Sequence, residues 1–401
     1  MALVVQKYGG SSVKDAARIR AVAQRVAARA DAGNQLLVVV SAMGDSTDEL
    51  IELARQITAR PQPREMDMLM ATGEVISCTL VTMALHDMGY QAVALSGPQA
   101  GIRTDAFHTK AKIAAIEPGR VSRELDAGRI VVVAGFQGLT DADDVATLGR
   151  GASDLTAVAL AARLRASACE IYTDVDGIYT ADPRLVPEAR KLDSISFEEM
   201  LEMAQLGAKV MQPRAVELGQ IHHMPITVRS SYNDREGTII GVENVNKVTG
   251  IAHDTDVAKL TLVSVPDRPG VAAQLFAPLA AAALSIDTIV QNVSHDGVTD
   301  ISFTVAETDL EHARSITEPI ARELGAGQVI AATEMAKVSI VGTGIQNSPG
   351  YAARMFAAMH EAGINIDMIS TSEIRITVLI NRAQVTPAVR ALHRAFRLDT
   401  A

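Results

Sequence analysis

Short apolar, mostly β-branched runs recur along the first half of the chain, at Leu3 to Val5, Leu36 to Val40, Ala92 to Leu95, Ile130 to Val133 and Ile171 to Thr173. Between them lie alanine-rich stretches with helical spacing, such as Ala16 to Ala30 and Leu155 to Leu164. Strand-like runs alternating with helical ones predict an α/β domain on a largely parallel sheet. The runs LLVVV and IVVVAGF are apolar throughout, as expected where helices cover both faces. The expected fold is therefore a three-layer αβα sandwich.

The pattern changes at Ser231 to Gly250, a polar stretch rich in glycine and asparagine of the kind that ends one domain and leads into the next. A boundary near Gly250 makes residues 1–249 the first domain. Beyond it the chain repeats itself. PGVAAQLFAPLAAAALSIDTI from Pro269 aligns without a gap on PGYAARMFAAMHEAGINIDMI from Pro349. The match pairs Pro269, Gly270, Phe276, Ile286 and Asp287 with Pro349, Gly350, Phe356, Ile366 and Asp367. Chance rarely preserves a Pro-Gly turn, a helix face and a strand start together. Each unit reads strand, turn, amphipathic helix, strand, strand, helix, the βαββαβ pattern of a ferredoxin-like module. The two units are expected at 250–335 and 336–401, with strands open to exchange between them.

Composition narrows the functions open to such a chain. At 401 residues it accommodates two or three domains, and 48% hydrophobic with 21% charged residues is ordinary for buried cores. A net charge of −10, no tryptophan and 3% aromatics argue against a nucleic-acid partner. An anionic ligand would need cations focused in a cleft, which singles out Lys7, Arg150, Arg184 and Lys209 beside glycine turns. With only Cys78 and Cys169, and no histidine cluster at ligand spacing, neither a disulfide framework nor a protein-held metal is expected. MALVVQKYGG reaches a lysine too soon for a signal peptide. The most membrane-like stretch, Val271 to Val290, contains Gln274, Pro278 and Asp287 and reads better as a core-facing helix. The expected location is cytoplasmic, away from membranes.

Several turns carry candidate chemistry. KYGGSSVKD begins at Lys7, between the first strand and a helix with a capping-box-like Ser12 to Asp15 pattern. Glycines there let backbone N–H groups approach a phosphate, and an ammonium can neutralise charge on phosphoryl oxygens. The same residues also suit a tight turn with an incidental lysine. No GxxxxGK[ST], HRD or DFG occurs, so any phosphoryl transfer uses another architecture. SAMGDSTD, Ser41 to Asp48, is a second glycine and hydroxyl turn, and ATGEVIS sets Glu74 at an expected loop-to-helix junction where it could meet an ammonium. TLGRGASD offers the guanidinium fork of Arg150 to a carboxylate, the hydroxyl of Ser153, and Asp154 to orient a lysine. Its GxG invites a dinucleotide reading, but Asp154 stands where that turn needs glycine or alanine and would repel a pyrophosphate. A capped helix starting at Ser153 explains the stretch equally. YTDVDGIYTADPR gathers Asp174, Asp176, Tyr179, Asp182 and Arg184 in one loop; it lacks the spacing of a calcium loop and fits a nucleotide better.

Taken in order, KYGGSS, SAMGDSTDEL, ATGEVIS, TLGRGASD, EIYTDVDGIYTADPR and EMLEMAQLGAKVMQPRAVELG, followed by two repeated units, resemble the aspartokinase family across essentially the whole chain. The resemblance implies an amino-acid-kinase fold and transfer of the γ-phosphoryl of ATP to the side-chain carboxylate of L-aspartate, with Mg2+ held mainly by the nucleotide phosphates. It implies that Lys7, Gly9 and Gly10 meet the phosphates with Ser41 nearby, and that Asp154 positions Lys7. Thr47, Glu74, Arg150 and Ser153 would hold aspartate, while Thr173, Asp174, Tyr179, Asp182, Arg184 and Lys209 would line the nucleotide site. The repeated units resemble ACT domains, which bind amino acids at the Pro-Gly turn and a facing edge strand. The corresponding positions are Asp267, Pro269, Gly270, Gln291 and Asn292 in the first unit, and Asn347, Pro349, Gly350, Ser370 and Thr371 in the second. Lysine and threonine are the implied effectors, and a homo-oligomer or α/β assembly the implied state.

One departure stands out. The family usually reads GRGGSDTT where this chain has GRGASDLT. Ala152 tolerates a positive φ less readily than glycine, and Leu155 removes a hydroxyl from the helix start. Weakened aspartate binding, a shifted amino-acid substrate and a non-catalytic sensor are the readings this opens.

Overall fold

The computed structural model describes residues 1–400 except 209, 243–247, 294–295 and 346–348. Two compact units emerge: the first holds 1–179, 191–204 and 209–244, the second 180–190, 205–208 and 245–401.

In the first unit the strands are β1 (Leu3–Tyr8), β2 (Gln35–Val40), β3 (Ala92–Leu95), β4 (Ile102–Thr104), β5 (Ile113–Ile116), β6 (Ile130–Ala134), β7 (Gln137–Leu139), β8 (Val145–Thr147), β9 (Ala168–Thr173), β10 (Ser194–Ile195), β11 (Ile226–Ser230) and β12 (Thr238–Ile240). Its helices are α1 (Ala16–Asp31), α2 (Ser46–Ile57), α3 (Pro63–Asp87), α4 (Gly119–Asp126), α5 (Ser153–Leu164), α6 (Phe197–Gln205) and α7 (Pro213–Ile221). Among the described residues the main sheet is eight-stranded, in the order β10-β12-β11-β9-β1-β2-β6-β3. All its pairings are parallel except β11 with β12. A four-stranded sheet, β5-β4-β7-β8, stands beside it in the chain order.

Alternation along the central strands explains the layers. Leu36, Val38, Val40, Ile130, Val132 and Ala134 pack against Ile19, Val22 and Val26 of α1 and Cys78, Val81 and Leu85 of α3. The intervening Leu37, Val39, Val131 and Val133 are equally buried on the opposite face, where α5 lies against β1 and β2. Side chains on a strand point alternately to the two faces, so the continuous apolar runs require both faces to be covered. The sandwich expected from the sequence is observed.

Helix α1 begins at Ala16, and its N-cap is Asp15, whose carboxylate accepts from Arg18 N at 2.9 Å. Ser12, the cap expected from the sequence, instead donates to Ser231 Oγ at 2.9 Å from a single 3-10 turn. Among the described residues one helix, α3, is long and apolar enough to span a membrane, and half of its apolar stretch is buried inside the unit. In the stretch singled out from the sequence, the helix ends at Ala281 and is too short to span a membrane.

The second unit contains β13 (Gly250–Pro266), β14 (Ile289–Gln291), β15 (Val298–Val305), β16 (Gln328–Val341), β17 (Met368–Thr371) and β18 (Arg375–Asn381). Its helices are α8 (Val271–Ala281), α9 (Leu310–Leu324), α10 (Tyr351–Glu361) and α11 (Val385–Ala395). Among the described residues the strands form one antiparallel sheet, β14-β15-β13-β16-β18-β17. Among the described residues two large cores line it, one containing residues of α8 and α9 and the other residues of α10 and α11, with a small third cluster of Val257, Met335 and Leu379.

The two long strands are shared between the repeats. Leu260 to Val263 of β13 pair with Ala331 to Gln328 of β16, closing the first repeat as βαββαβ. Gly250 to Asp254 pair with Val341 to Lys337, so the second repeat takes its last strand from ahead of the first. Segment 180–190 joins this unit: Ala181 and Val186 enter the core beside Ile251 and Leu392, and Ile251 N donates to Thr180 O at 2.8 Å.

Candidate active site

The parallel strands β1, β2 and β9 run in register, so their C-terminal ends share one edge of the sheet, where open α/β sheets bind ligands. Lys7 lies near the end of β1 and is 8% exposed. Its Nζ stands 2.7 Å from Asp154 Oδ1, on the first turn of α5. Asp154 Oδ2 accepts from Gln212 N at 3.3 Å, which fixes the carboxylate from the far side. An added Cβ on Gly9 would lie 3.4 Å from the lysine nitrogen. Gly10 approaches the next turn so closely that a Cβ would stand 2.9 Å from Ala42 O, so only glycine fits there. The Gly9 N–H is spent on Tyr172 O at 3.1 Å.

Ser41 follows β2, its N–H donating to Tyr8 O at 3.0 Å and its carbonyl accepting from Ser77 Oγ at 2.6 Å. Glu74 is not at a loop-to-helix junction as expected. It sits in the middle of α3, 4% exposed. Its Oε1 accepts from Ala42 N at 3.1 Å, while Oε2 is buried and has no hydrogen-bond partner. Burial pushes its carboxyl up to about 7 against the lowering effect of the Ala42 N–H. A half-satisfied carboxylate in such a place fits an ammonium arriving from outside. Ser46 Oγ, missed in the sequence, is likewise buried and unpartnered, 3.7 Å from where a Cβ on Gly73 would lie. Thr47 is on the first turn of α2.

Arg150 projects from the turn before α5, its side chain 86% exposed, and donates to Asp48 Oδ2 at 2.7 Å. An exposed pair of this kind contributes about 0–1 kcal/mol, so the guanidinium is readily released to another carboxylate. Ser153 is buried, and a Cβ on Gly135 would lie 2.8 Å from its side chain, so the start of α5 presses on the end of β6. The positive φ values of this turn belong to Gly149 (91°) and Gly151 (76°). Ala152 has φ −76°, a conformation open to any residue. The backbone objection to Ala152 is therefore removed. Leu155 is buried with 4% exposure.

Of the remaining nucleotide candidates, Thr173 donates to Asp174 Oδ1 at 3.2 Å at the end of β9, and Tyr179 bridges to Lys191. Asp182 and Arg184 belong to the second unit, and Arg184 Nη2 donates to Asp182 Oδ2 at 2.7 Å. The Arg184 guanidinium lowers the Asp182 carboxyl below its usual range. Lys209 lies outside the described residues. Asp176, which no role was assigned, accepts from Asn233 Nδ2 at 2.8 Å and pairs with Arg235 at 3.2 Å. Both cysteines are free and buried, and burial raises both thiols, Cys78 to about 12.

In the second unit Gly270 and Gly350 are the N-caps of α8 and α10, with φ 94° and 105°, a region that favours glycine. Pro269 and Pro349 immediately precede them, and Asp267 N donates to Gly297 O at 2.9 Å. Gln291 ends β14, with Asn292 following, and Ser370 and Thr371 lie on β17; these are the two edge strands of the sheet. Asn347 lies outside the described residues.

A parallel sheet with a buried lysine-aspartate pair at its ligand edge is compatible with phosphoryl transfer, and similarity to known proteins defines the class. The amino acid kinase family model matches residues 2–230, and ACT-domain models match 259–325 and 338–396. The aspartokinase of Mycolicibacterium smegmatis is 54% identical over 407 residues, spanning 99% of this chain and 97% of that protein. Among solved structures, E. coli aspartokinase III in complex with aspartate and ADP (R-state) is similar with a TM-score of 0.85 and 27% identity, covering 98% of this chain and 99% of that one. The same enzyme with lysine and aspartate (T-state) gives 0.74 at the same identity and coverage. The chain belongs to the aspartokinases of the amino acid kinase family, and it is a kinase.

Proposed function

We propose that this chain transfers the γ-phosphoryl group of ATP to the side-chain carboxylate of L-aspartate, giving 4-phospho-L-aspartate and ADP. The observation that carries the reading is the buried Lys7 ammonium held 2.7 Å from Asp154 at the sheet edge. A carboxylate oxygen of aspartate attacks the γ-phosphorus as its bond to the β,γ-bridging oxygen breaks, and ADP keeps that oxygen. The nucleophile is already ionised near neutral pH, so no general base is required. Catalysis then rests on in-line positioning and on cations facing the transferring oxygens, the task of Lys7.

Glu74 Oε2 is suited to the α-ammonium and Arg150 to the α-carboxylate, and Thr47 and Ser153 are assigned to aspartate through the family motif. Gly9, Gly10 and Ser41 flank the phosphates. Thr173, Asp174, Tyr179, Asp182, Arg184 and Lys209 are assigned to the nucleotide through the family motif. Mg2+ is assigned mainly to the nucleotide's phosphates, where it would neutralise charge. The chain opens the route to lysine, threonine and methionine in the cytoplasm, and lysine and threonine inhibit it through the glycine-capped helices and edge strands of the second unit. Exposed Ile289 and Ile369 on those edges support pairing of copies.

Hydroxylamine trapping of acyl phosphate tests the reading with MgATP, aspartate, glutamate and related acids, with and without lysine plus threonine. Aspartate-dependent product suppressed by the effectors is expected. Product only with another acid, or none, overturns it.

A further inference from the structure

Asp67, on α3, has no exposed surface and lies two helical turns before Glu74 on the same helix face. Its carboxylate accepts from Thr109 N at 2.9 and 3.1 Å, from His108 Nδ1 at 2.7 Å and from the hydroxyl of Thr147. Burying a carboxylate is costly unless its lone pairs are filled, and an apolar residue would serve mere packing with less penalty. The three donors show what the carboxylate organises. His108 and Thr109 form a turn with Thr109 at φ 67°, a region few non-glycine residues adopt. Thr147 ends β8, directly before the Leu148 to Ala152 turn that carries Arg150. Ala111 N donates to Thr147 O at 2.9 Å, and Arg214 bridges Leu148 O at 2.8 Å and Ala111 O at 3.1 Å. The two loops are thus laced together, and Asp67 ties both to the helix bearing Glu74.

We infer that Asp67 is a positioning residue for the substrate's carboxylate: through Thr147 it fixes the turn presenting Arg150 at a set distance from Glu74. This rests on the proposed role of Arg150, and the experiment has two arms. Steady-state kinetics of the full chain compare Thr147→Val, Thr147→Ser and Asp67→Asn. Thr147→Val and Asp67→Asn are expected to raise the aspartate KM about tenfold with the ATP KM within about twofold, and Thr147→Ser, which keeps the hydroxyl, to restore most of it. Hydrogen exchange without substrate should show residues 147–152 losing protection in Asp67→Asn while β1 and β2 keep theirs. Equal rises in both KM values, loss of protection throughout the first unit, or unchanged exchange at 147–152 overturns the inference. If the wild-type chain forms no product from aspartate, the proposed function fails and the exchange arm alone decides this one.

Discussion

Lys7 and Asp154 form an ion pair at 2.7 Å between the end of a strand and the first turn of a helix, with both side chains almost out of water. Asp154 is turned toward the lysine while its second oxygen is held by the Gln212 N–H, so the ammonium is presented in one direction. If the pair works as a unit, Lys7→Met and Asp154→Asn each lower kcat on the order of a hundredfold or more, and the double variant is scarcely worse than the poorer single one. Turnover of the four proteins, at saturating substrates, checks this; strictly multiplicative losses would mean that the residues act separately.

Glu74 makes the ligand-free protein sensitive to pH. Its carboxyl is raised from 4.5 to about 7 by burial, so between those values the folded state holds a proton that the unfolded state has lost. Its contribution is complete below the unfolded value and declines as pH rises through about 7, a change on the order of 3 kcal/mol. Glu74→Gln removes that slope, so the variant should gain stability relative to wild type between pH 5 and pH 8, on the order of 3 kcal/mol. Denaturant melts across that range read the difference, and a constant gap between the two proteins would contradict it. Because the ionised form is needed to meet an ammonium, the aspartate KM of wild type should also fall over the same range.

What the sequence made legible was what depends on local pattern. Continuous apolar runs such as Leu36 to Val40 required two covered faces, and the Pro-Gly repeats marked two helices whose N-caps are Gly270 and Gly350. Contacts between distant segments were not legible. Glu74 looked like a junction residue because ATGEVIS begins with small residues, yet α3 runs through it for 25 residues, the glycine serving close approach to Ala42. Asp67 carries no motif at all, and its partners arrive from 41 and 80 positions away. Exchange of strands between the repeats was left open by the sequence, but which segment is donated, Gly250 to Asp254 into the second repeat, was not legible, because that pairing joins residues far apart in the chain.

The GRGASDL turn yields a prediction about which of its two departures matters. Ala152 has φ −76°, so Ala152→Gly relieves no strain and should leave the aspartate KM within about twofold of wild type. Leu155 is buried, so Leu155→Thr removes apolar contact and should lower stability by about 1–3 kcal/mol. Thermal melting and kinetics of the two single variants separate these effects. A several-fold gain in aspartate turnover from Ala152→Gly would show that the alanine restrains the loop after all.

The repeats of the second unit are crosslinked reciprocally. Lys337 of the second repeat bonds Asp287 of the first, and Lys259 of the first bonds Asp367 of the second, all at equivalent positions of the two units. Each aspartate stands just ahead of an edge strand, so each pair ties one repeat's edge to the other repeat's central strand. The two pairs differ in the burial of their lysines. Lys337 is 5% exposed and also donates to Thr304 Oγ1 at 2.9 Å, whereas the Lys259 side chain is 19% exposed; the aspartates are both partly exposed, Asp287 at 48% and Asp367 at 39%. Removing Asp287 strands a buried ammonium, so Asp287→Asn should cost about 3 kcal/mol. Asp367→Asn leaves a charge that water reaches and should cost about 1 kcal/mol or less. Urea unfolding followed by signals from the second unit measures both, and equal losses would mean that burial of Lys337 does not set the strength of its pair.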